Sequence, residues 1–418
     1  MSGSDPTVTG WQEVLAPLVH DVERHFDALK YRLYYTLGGP GPMKIVPYRG
    51  CGTRRRVYLK GRVLEERGIG PPTENDDLWD NLVNMYKRMD SHEIPHARLR
   101  VRLQDLEREL VADEEGHFEL QAELDRPLAV DGMWQPVELE LLEPQSKEQP
   151  VPVHATGEVL IPPSTAEFGV ISDIDDTVLQ TDATSLLRMA RTVFLGNART
   201  RMPFAGAAGL YRALHAGRTG NARNPLFYVS NSPWNLYDLL SEFFQLNDIP
   251  IGPVLFLRNW GVSEEELLPT HQRDYKLSHI RRILDLYPDL PFILIGDSGE
   301  EDPEVYHQVT QEAPNRILAV YIRNVGQEPG RPAAIRELTQ DVVTAGSTLV
   351  LAPDSLSMAR HAAAQGWITG SALPSIQAQK ARDEAPAGPL ERMLQEIERD
   401  EADRPPPVIV SSELGGPE

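Results

Sequence analysis

A single cysteine, Cys51, occurs in 418 residues, so no disulfide can form within the chain. That suits a reducing compartment, and Cys51, set in a Gly-rich stretch, is expected to be inert. No apolar run reaches the ~20 residues that a membrane-spanning helix needs. The amino terminus lacks the basic-then-apolar pattern of a signal peptide. The expected location is therefore cytoplasmic, with membrane contact at the surface at most. Positive charge is also scarce. Lys and Arg number 41 against 62 Asp and Glu, a net charge of −21, which argues against general nucleic-acid binding.

One further absence is local. From Ala183 to Tyr237 there is no Asp or Glu, where average composition would place about eight. The same window holds Arg188, Arg191, Arg199, Arg201, Arg212, Arg218 and Arg223. Such a segment attracts anions to a nearby cleft. Alternatively it is a solvated face, or it pairs with acidic segments elsewhere. Leu186, Leu187, Met189, Val193, Phe194 and Leu195 would add apolar contact beside Arg188 and Arg191, which suits the surface of an anionic membrane.

What is present is ordinary for a soluble multidomain chain, 41% hydrophobic and 25% charged. Residues 1–40 hold an amphipathic pattern over 10–37, from Trp11 to Leu33. From 41 to 165 short β-like runs alternate with Gly, Pro and Asp turns: Arg56–Val63, Ala97–Leu103, Phe118–Leu124, Val137–Leu142 and Val151–Ile161. They predict a β-sandwich with a helical insertion over Asp77–Met89. His92, His96 and His117 are too scattered for a metal site. From 166 to 370 strands alternate with helices, predicting a doubly wound α/β domain with a parallel sheet. The stretch Asp182–Met202 is too short for a large cap, so the cleft is expected to be open or covered by the β domain. Beyond 371 the chain is acidic and Pro-rich and reads as a mostly disordered tail carrying one short helix.

Chemistry gathers at the ends of three apolar runs. Phe168-Gly-Val-Ile-Ser172 leads into Asp173-Ile-Asp-Asp-Thr177. Leu226-Phe-Tyr-Val229 leads into Ser230-Asn-Ser232, and Phe292-Ile-Leu-Ile295 into Gly296-Asp-Ser-Gly-Glu-Glu-Asp302. Buried parallel strands deliver such ends to one edge of a sheet, where ligands bind. Packing Asp173, Asp175 and Asp176 together is costly unless a cation offsets them, and a divalent ion does so best. Lys276 falls in the first turn of a helical pattern whose buried face is Leu277, Ile280, Ile283, Leu284 and Tyr287. Simpler readings stand beside these. Ser232 before Pro233 reads as a helix N-cap starting a helix over 233–247 with Leu236, Leu239, Leu240, Phe243 and Phe244 inside. Asp302 before Pro303 reads equally as a cap or as a metal-site residue.

The four motifs, in this order, resemble those of the haloacid dehalogenase superfamily of phosphotransferases. Within it the chain resembles the actin-patch phosphatidate phosphatase family. That likeness rests on Ser172-Asp-Ile-Asp-Asp-Thr-Val178, Tyr228-Val-Ser-Asn-Ser-Pro-Trp-Asn-Leu-Tyr237, Leu257-Arg-Asn-Trp-Gly261 and Ile295-Gly-Asp-Ser-Gly-Glu-Glu-Asp302. The resemblance implies a haloacid dehalogenase-like sheet domain behind the β-sandwich, and a Mg²⁺-dependent phosphatase that turns phosphatidate into diacylglycerol. It implies Asp173 as nucleophile, Asp175 as general acid and base, and Lys276 as the balancing cation. Thr177, Ser230 and Asn231 would bind substrate phosphate, with Arg188 and Arg191 assisting. Mg²⁺ would lie among Asp173, Asp175 and Asp297, with Asp302 acting through water. Asn259 stands where relatives carry Asp, which leaves a role for that side chain open. Chain size suggests a bacterial member without cytoskeletal partners. Two alternatives use the same residues: hydrolysis of a soluble phosphomonoester, and a catalytically silent phospholipid-binding scaffold. The intact Asp173/Asp175 pair disfavours the scaffold, because binding alone needs no general acid.

Overall fold

The computed structural model describes residues 41–66, 93–146, 149–174, 204–234, 237–258, 269–325 and 330–384. The expected helices over 10–37 and 77–89, the segment 182–202 and the tail beyond 384 lie outside the described residues.

The first half is β structure. Its strands are β1 (Met43–Pro47), β2 (Gly50–Gly52), β3 (Arg56–Glu65), β4 (Arg98–Leu103), β5 (Leu106–Val111), β6 (His117–Glu123), β7 (Trp134–Glu143) and β8 (His154–Leu160). They join one sheet in the order β1-β3-β2-β8-β7-β4-β5, with β6 on the other side of β3. Period-two alternation puts Leu99, Val101 and Leu103 of β4 and Val137, Leu139 and Leu141 of β7 into one core with Leu59, Phe118 and Val159. The opposite face carries a ladder of charge. Arg100 meets Glu140 at 3.0 Å, Arg98 meets Glu109 at 2.9 Å, and Arg102 meets Glu107 at 3.1 Å. These pairs set register more than stability, since exposed ion pairs are worth roughly 0–1 kcal/mol.

The second half is a six-stranded parallel sheet: β9 (Gly169–Asp173), β10 (Leu226–Pro233), β11 (Val254–Arg258), β12 (Phe292–Asp297), β13 (Ile317–Arg323) and β14 (Leu349–Ala352). The order is β11-β10-β9-β12-β13-β14, and every neighbouring pair is parallel. Val170, Ile293, Ile295 and Tyr321 face one core, and Ile171, Leu294, Val320 and Ile322 face another. Strands buried on both faces explain the unbroken apolar runs in the sequence. The helices are α1 (Ala207–Ala216), α2 (Tyr237–Leu246), α3 (Pro269–Leu286), α4 (Asp302–Glu312), α5 (Arg331–Glu337), α6 (Thr339–Thr344), α7 (Ser355–Ala364) and α8 (Leu373–Asp383). Residues of α1, α2, α7 and α8 cover the first face, and those of α3 to α6 cover the second. Sheet growth reverses between β9 and β12, so the carboxyl ends of these two strands open a crevice.

Three sequence expectations change. β10 runs on to Pro233 and α2 begins at Tyr237, so no helix starts at the Ser232-Pro233 pair; Leu240, Phe243 and Phe244 are buried as expected. Lys276 is the eighth residue of α3 rather than a first-turn residue, because the helix begins at Pro269. α8 lies beyond the boundary expected at 370. It packs Ile376 into the first core, and its Asp383 accepts a hydrogen bond from the Gly206 backbone at 2.8 Å.

The two halves share their cores. Tyr48 enters the first α/β core, and Cys51, Tyr58 and Leu160 enter the second. Gly52 N–H donates to the Tyr287 hydroxyl at 3.0 Å, and Arg49 N–H to the Tyr237 hydroxyl at 2.8 Å. The Arg56 guanidinium grips the carbonyls of Asp285 and Leu286 at the end of α3. A Cβ at position 50 would stand 2.2 Å from the Tyr58 carbonyl oxygen, so only glycine lets β2 lie this close to β3. Burial pushes the Cys51 thiol up to about 12, which fits an inert thiol.

Candidate active site

Asp173 is the last residue of β9 and is fully buried. The Ser172 hydroxyl donates to the Asp173 carbonyl at 2.7 Å and lies 2.6 Å from the Tyr211 hydroxyl of α1. With the serine proton so committed, Tyr211 is the donor to Ser172. The strand end is thereby pinned from the helix layer. Asp297 ends β12 on the other side of the crevice. Its Oδ1 accepts from the backbone N–H groups of Gly299 (2.6 Å) and Glu300 (3.0 Å), which turns the chain back toward α4. Its Oδ2 is buried without a hydrogen-bond partner.

Asp302 opens α4 and is fully buried. Of the two readings of Asp302-Pro303, the cap is absent: the helix has no side-chain cap. Instead Asp302 Oδ2 accepts from the Asp297 backbone N–H at 3.2 Å, and Oδ1 receives the Lys276 ammonium. A Cβ on residue 296 would sit 2.1 Å from Asp302 Oδ2, so Gly296 is what admits this carboxylate to the strand end. Arg331 braces the turn, donating to the carbonyls of Ser298 and Glu300 and pairing with Glu304.

Lys276 Nζ stands 2.8 Å from Asp173 Oδ1, contacts Asp302 Oδ1, and lies 3.6 Å from Glu300 Oε2. Burial favours its neutral form, but the Asp173 and Asp302 carboxylates outweigh that and hold the ammonium well above its usual range. Oxygens of Asp173, Asp297 and Asp302 lie within 4.8 Å of one another. Burial, then Asp302 and Glu300, push Asp297 up to about 7. Three buried carboxylates thus share one ammonium, and one oxygen has no donor. That donor set fits a hard divalent cation such as Mg²⁺ or Ca²⁺.

The structure brings together Asp173, Lys276, Asp297 and Asp302 from β9, α3, β12 and α4. Ser230 is buried on β10, one residue past the Val229–Asp173 register pair, and Asn231 follows it on the same strand. Asp175, Thr177, Arg188, Arg191 and Asn259 lie outside the described residues. Of the acid-free window, Arg212 donates to the Asp248 carbonyl and Gln379, and Arg218 pairs with Glu167 at 3.5 Å. These two serve the fold.

Sequence reasoning passed over two groups. Arg323 ends the apolar run of β13 much as Asp173 ends that of β9, a signal that was available. The other group surrounds Trp234, just past Ser230. Tyr48 of the β half stacks on its ring (4.6 Å between centroids, 13° between planes), Lys60 Nζ lies 4.5 Å from its centroid, and the His117 ring lies at 6.0 Å. Such a junction joins residues 117 to 186 positions apart in the chain, which no local pattern announces.

Residues 168–324 match the family described as phosphatidate phosphatase APP1, catalytic domain. Over this segment the chain is similar to the actin-patch phosphatidate phosphatase family. Phosphatidate phosphatase APP1 of Saccharomyces cerevisiae is 38% identical over 157 residues, 37% of this chain and 26% of the yeast protein. An uncharacterised protein of Schizosaccharomyces pombe is 32% identical over 160 residues, 38% of this chain and 25% of that protein. The match thus spans about a quarter of the length of each relative. All the site residues named above from β9, β10, β12, β13, α3 and α4 fall inside this APP1-type segment. A carbohydrate acetylesterase from Xanthomonas citri aligns over 72% of this chain and 66% of its own, at 11% identity and a TM-score of 0.26, too low to carry any argument.

Proposed function

We propose that this chain is a phosphoric monoester hydrolase of haloacid dehalogenase-like architecture, a doubly wound sheet behind a sandwich-like β half, acting on phosphatidate with Mg²⁺. The observation that carries the reading is the buried grouping of Asp173, Asp297 and Asp302 around Lys276, inside a segment similar to a phosphatidate phosphatase. In this reading an oxygen of the Asp173 carboxylate attacks phosphorus as the bond to the glycerol oxygen breaks, leaving an aspartyl-phosphate. Asp175, two residues on, gives its proton to the departing alkoxide and then takes one from the water that cleaves the acyl-phosphate. Lys276 holds Asp173 in place and offsets charge on the transferring group. Thr177, Ser230 and Asn231 bind phosphoryl oxygens. Asp173, Asp175, Asp297 and Asp302 would hold Mg²⁺, which when bound neutralises the carboxylates and polarises the phosphoryl group.

The arginine window, Arg188 and Arg191 foremost, would bring the crevice to an anionic lipid surface as a peripheral contact. Among the described residues no helix is long and apolar enough to cross a membrane.

The test is phosphate release by purified protein from phosphatidate in mixed micelles, with and without Mg²⁺, beside a soluble phosphomonoester. Mg²⁺-dependent release that favours phosphatidate is expected. Release from the soluble ester alone would leave the chemistry standing and overturn the lipid assignment. No release from either would make the chain a binding scaffold.

A further inference from the structure

β13 is apolar from Ile317 to Ile322 and ends in a guanidinium. Arg323 is 4% exposed, as withdrawn from solvent as Lys276. It stands in register with Asp297 on the neighbouring strand, which sets the two backbones about 4.8 Å apart at the same edge of the crevice. Its contacts are few. Nη2 donates to the Ser355 hydroxyl at 2.8 Å, and the guanidinium carbon lies 4.1 Å from the centroid of the Phe204 ring. Nε is buried with no acceptor, and among the described residues no carboxylate comes within ion-pair distance.

Among the described residues the other buried arginine shows what a structural role looks like. Arg62 pairs with Glu93 at 2.6 Å, and its Nε donates to the Glu115 carbonyl. Near Arg323 the available carboxylate, Asp354, is already taken by Lys380 at 2.8 Å and by the Ser357 N–H it caps. Taking a cation out of water with no anion beside it is heavily unfavourable. Burial accordingly pulls the Arg323 guanidinium below its ordinary range, and Tyr211, Asp354 and Asp297 do not restore it.

The charge at the crevice suggests what the guanidinium is for. A divalent cation and Lys276 together neutralise the three buried carboxylates. A phosphomonoester arrives as a dianion, and Arg323 is a buried cation at this edge that no described carboxylate neutralises. We infer that Arg323 is a substrate-binding residue whose guanidinium takes oxygens of the phosphoryl group, with Ser355 and Phe204 fixing the plane of its fork. This rests on the phosphatase reading and adds to it a phosphate contact from β13. A planar fork suits two oxygens at once, and a lysine there would supply only a point charge.

Thermal unfolding separates this from a structural role, with inorganic phosphate in the presence of Mg²⁺ as the probe. Wild-type protein should unfold at a higher temperature with phosphate. Arg323→Met, free of the buried charge, should unfold at the same or a higher temperature than wild type without phosphate, and should lose the phosphate-induced shift. On short-chain phosphatidate its KM should rise about tenfold or more, and Arg323→Lys should recover only part of that. Arg323→Met protein that unfolds several degrees lower yet keeps the phosphate shift and a near-normal KM would make Arg323 structural and overturn the inference. Loss of the phosphate shift in Arg323→Met, with wild type inert on every ester, would support the anion contact while sinking the phosphatase assignment. A wild-type protein that hydrolyses phosphatidate as well as Arg323→Met does would overturn the contact alone.

Discussion

At the ends of β9 and β12, three carboxylates crowd one ammonium and leave an oxygen of Asp297 without a donor. Just past the end of β10, Trp234 is enclosed by Lys60, Tyr48 and His117, with Asp113 and Glu115 at 3.8 and 3.7 Å from the imidazole. Both clusters bury charge, and they resolve it in opposite ways. The carboxylates are short of positive charge, and a divalent cation would complete them. The tryptophan cluster sets its cation on an aromatic face and keeps its imidazole neutral, so its charge is balanced within the fold although both His117 ring nitrogens are buried without a hydrogen-bond partner. The first is organised for chemistry. The second fastens the β half to the segment that follows Ser230, and through Arg56 and Tyr287 to the end of the helix that carries Lys276.

This contrast can be broken at either end. The largest effect is expected from Asp173→Asn, which removes the attacking charge but keeps the shape. Turnover of phosphatidate should fall by roughly a thousandfold or more while the folded state persists. Near-normal turnover in steady-state assays would end the nucleophile assignment. Trp234→Ala should act the other way round. Losing a buried ring that stacks on Tyr48 should cost about 3–5 kcal/mol of stability by denaturant unfolding. At a temperature where the variant is folded, its turnover should drop far less than for Asp173→Asn, and its Mg²⁺ dependence should not move. A Trp234→Ala protein of wild-type stability would mean the junction does not hold the halves together.

The smallest effect is on pH dependence. Burial, with Arg62 and Lys60, lowers His117 to about 3, and burial, with Arg282 and Lys60, lowers His279 to about 4, both from an ordinary value of 6.5. The unfolded chain therefore binds more protons than the folded one between these values. Stability from the neutral imidazoles is complete above 6.5 and is lost as pH falls toward 4 and then 3. Each contributes up to about 1 kcal/mol per pH unit, reduced at His279 by its partial exposure. Unfolding of His117→Phe measured across this range should show a flatter slope than wild type. Equal slopes would show that His117 is not held neutral.

Much of this was legible in the sequence because it is local. An apolar run followed at once by Asp, Ser or Gly-Asp marks a strand end in a sheet buried on both faces, and that logic located Asp173, Ser230 and Asp297 before any fold was known. The missing strands were β1, β2 and β5. β2 is three residues with glycine at both ends, permitted by close contact with β3. β5 is an edge strand whose Glu107, Arg108 and Glu109 face solvent, so its sequence lacks an apolar face on both sides. Lys276 was found but placed too early in its helix, since the polar residues after Pro269 carry no helical periodicity. Tyr48, Lys60 and His117 could not be assigned to Trp234, because only the packing of one sheet on another brings them there. Arg323 follows an apolar run as Asp173 does, but a single Arg at a strand end belongs to none of the motifs the sequence displays.

The claim on which the rest depends is that Asp173 carries the phosphoryl group during turnover. It can be read directly by acid-quenching the wild-type protein during hydrolysis of phosphatidate with Mg²⁺ and mapping phosphate on its peptides. The account predicts a phosphate adduct on the peptide that bears Asp173, absent from Asp173→Asn and from protein without substrate. An adduct on another residue, or full turnover with the Asp173 peptide unmodified at every quench time, would contradict it.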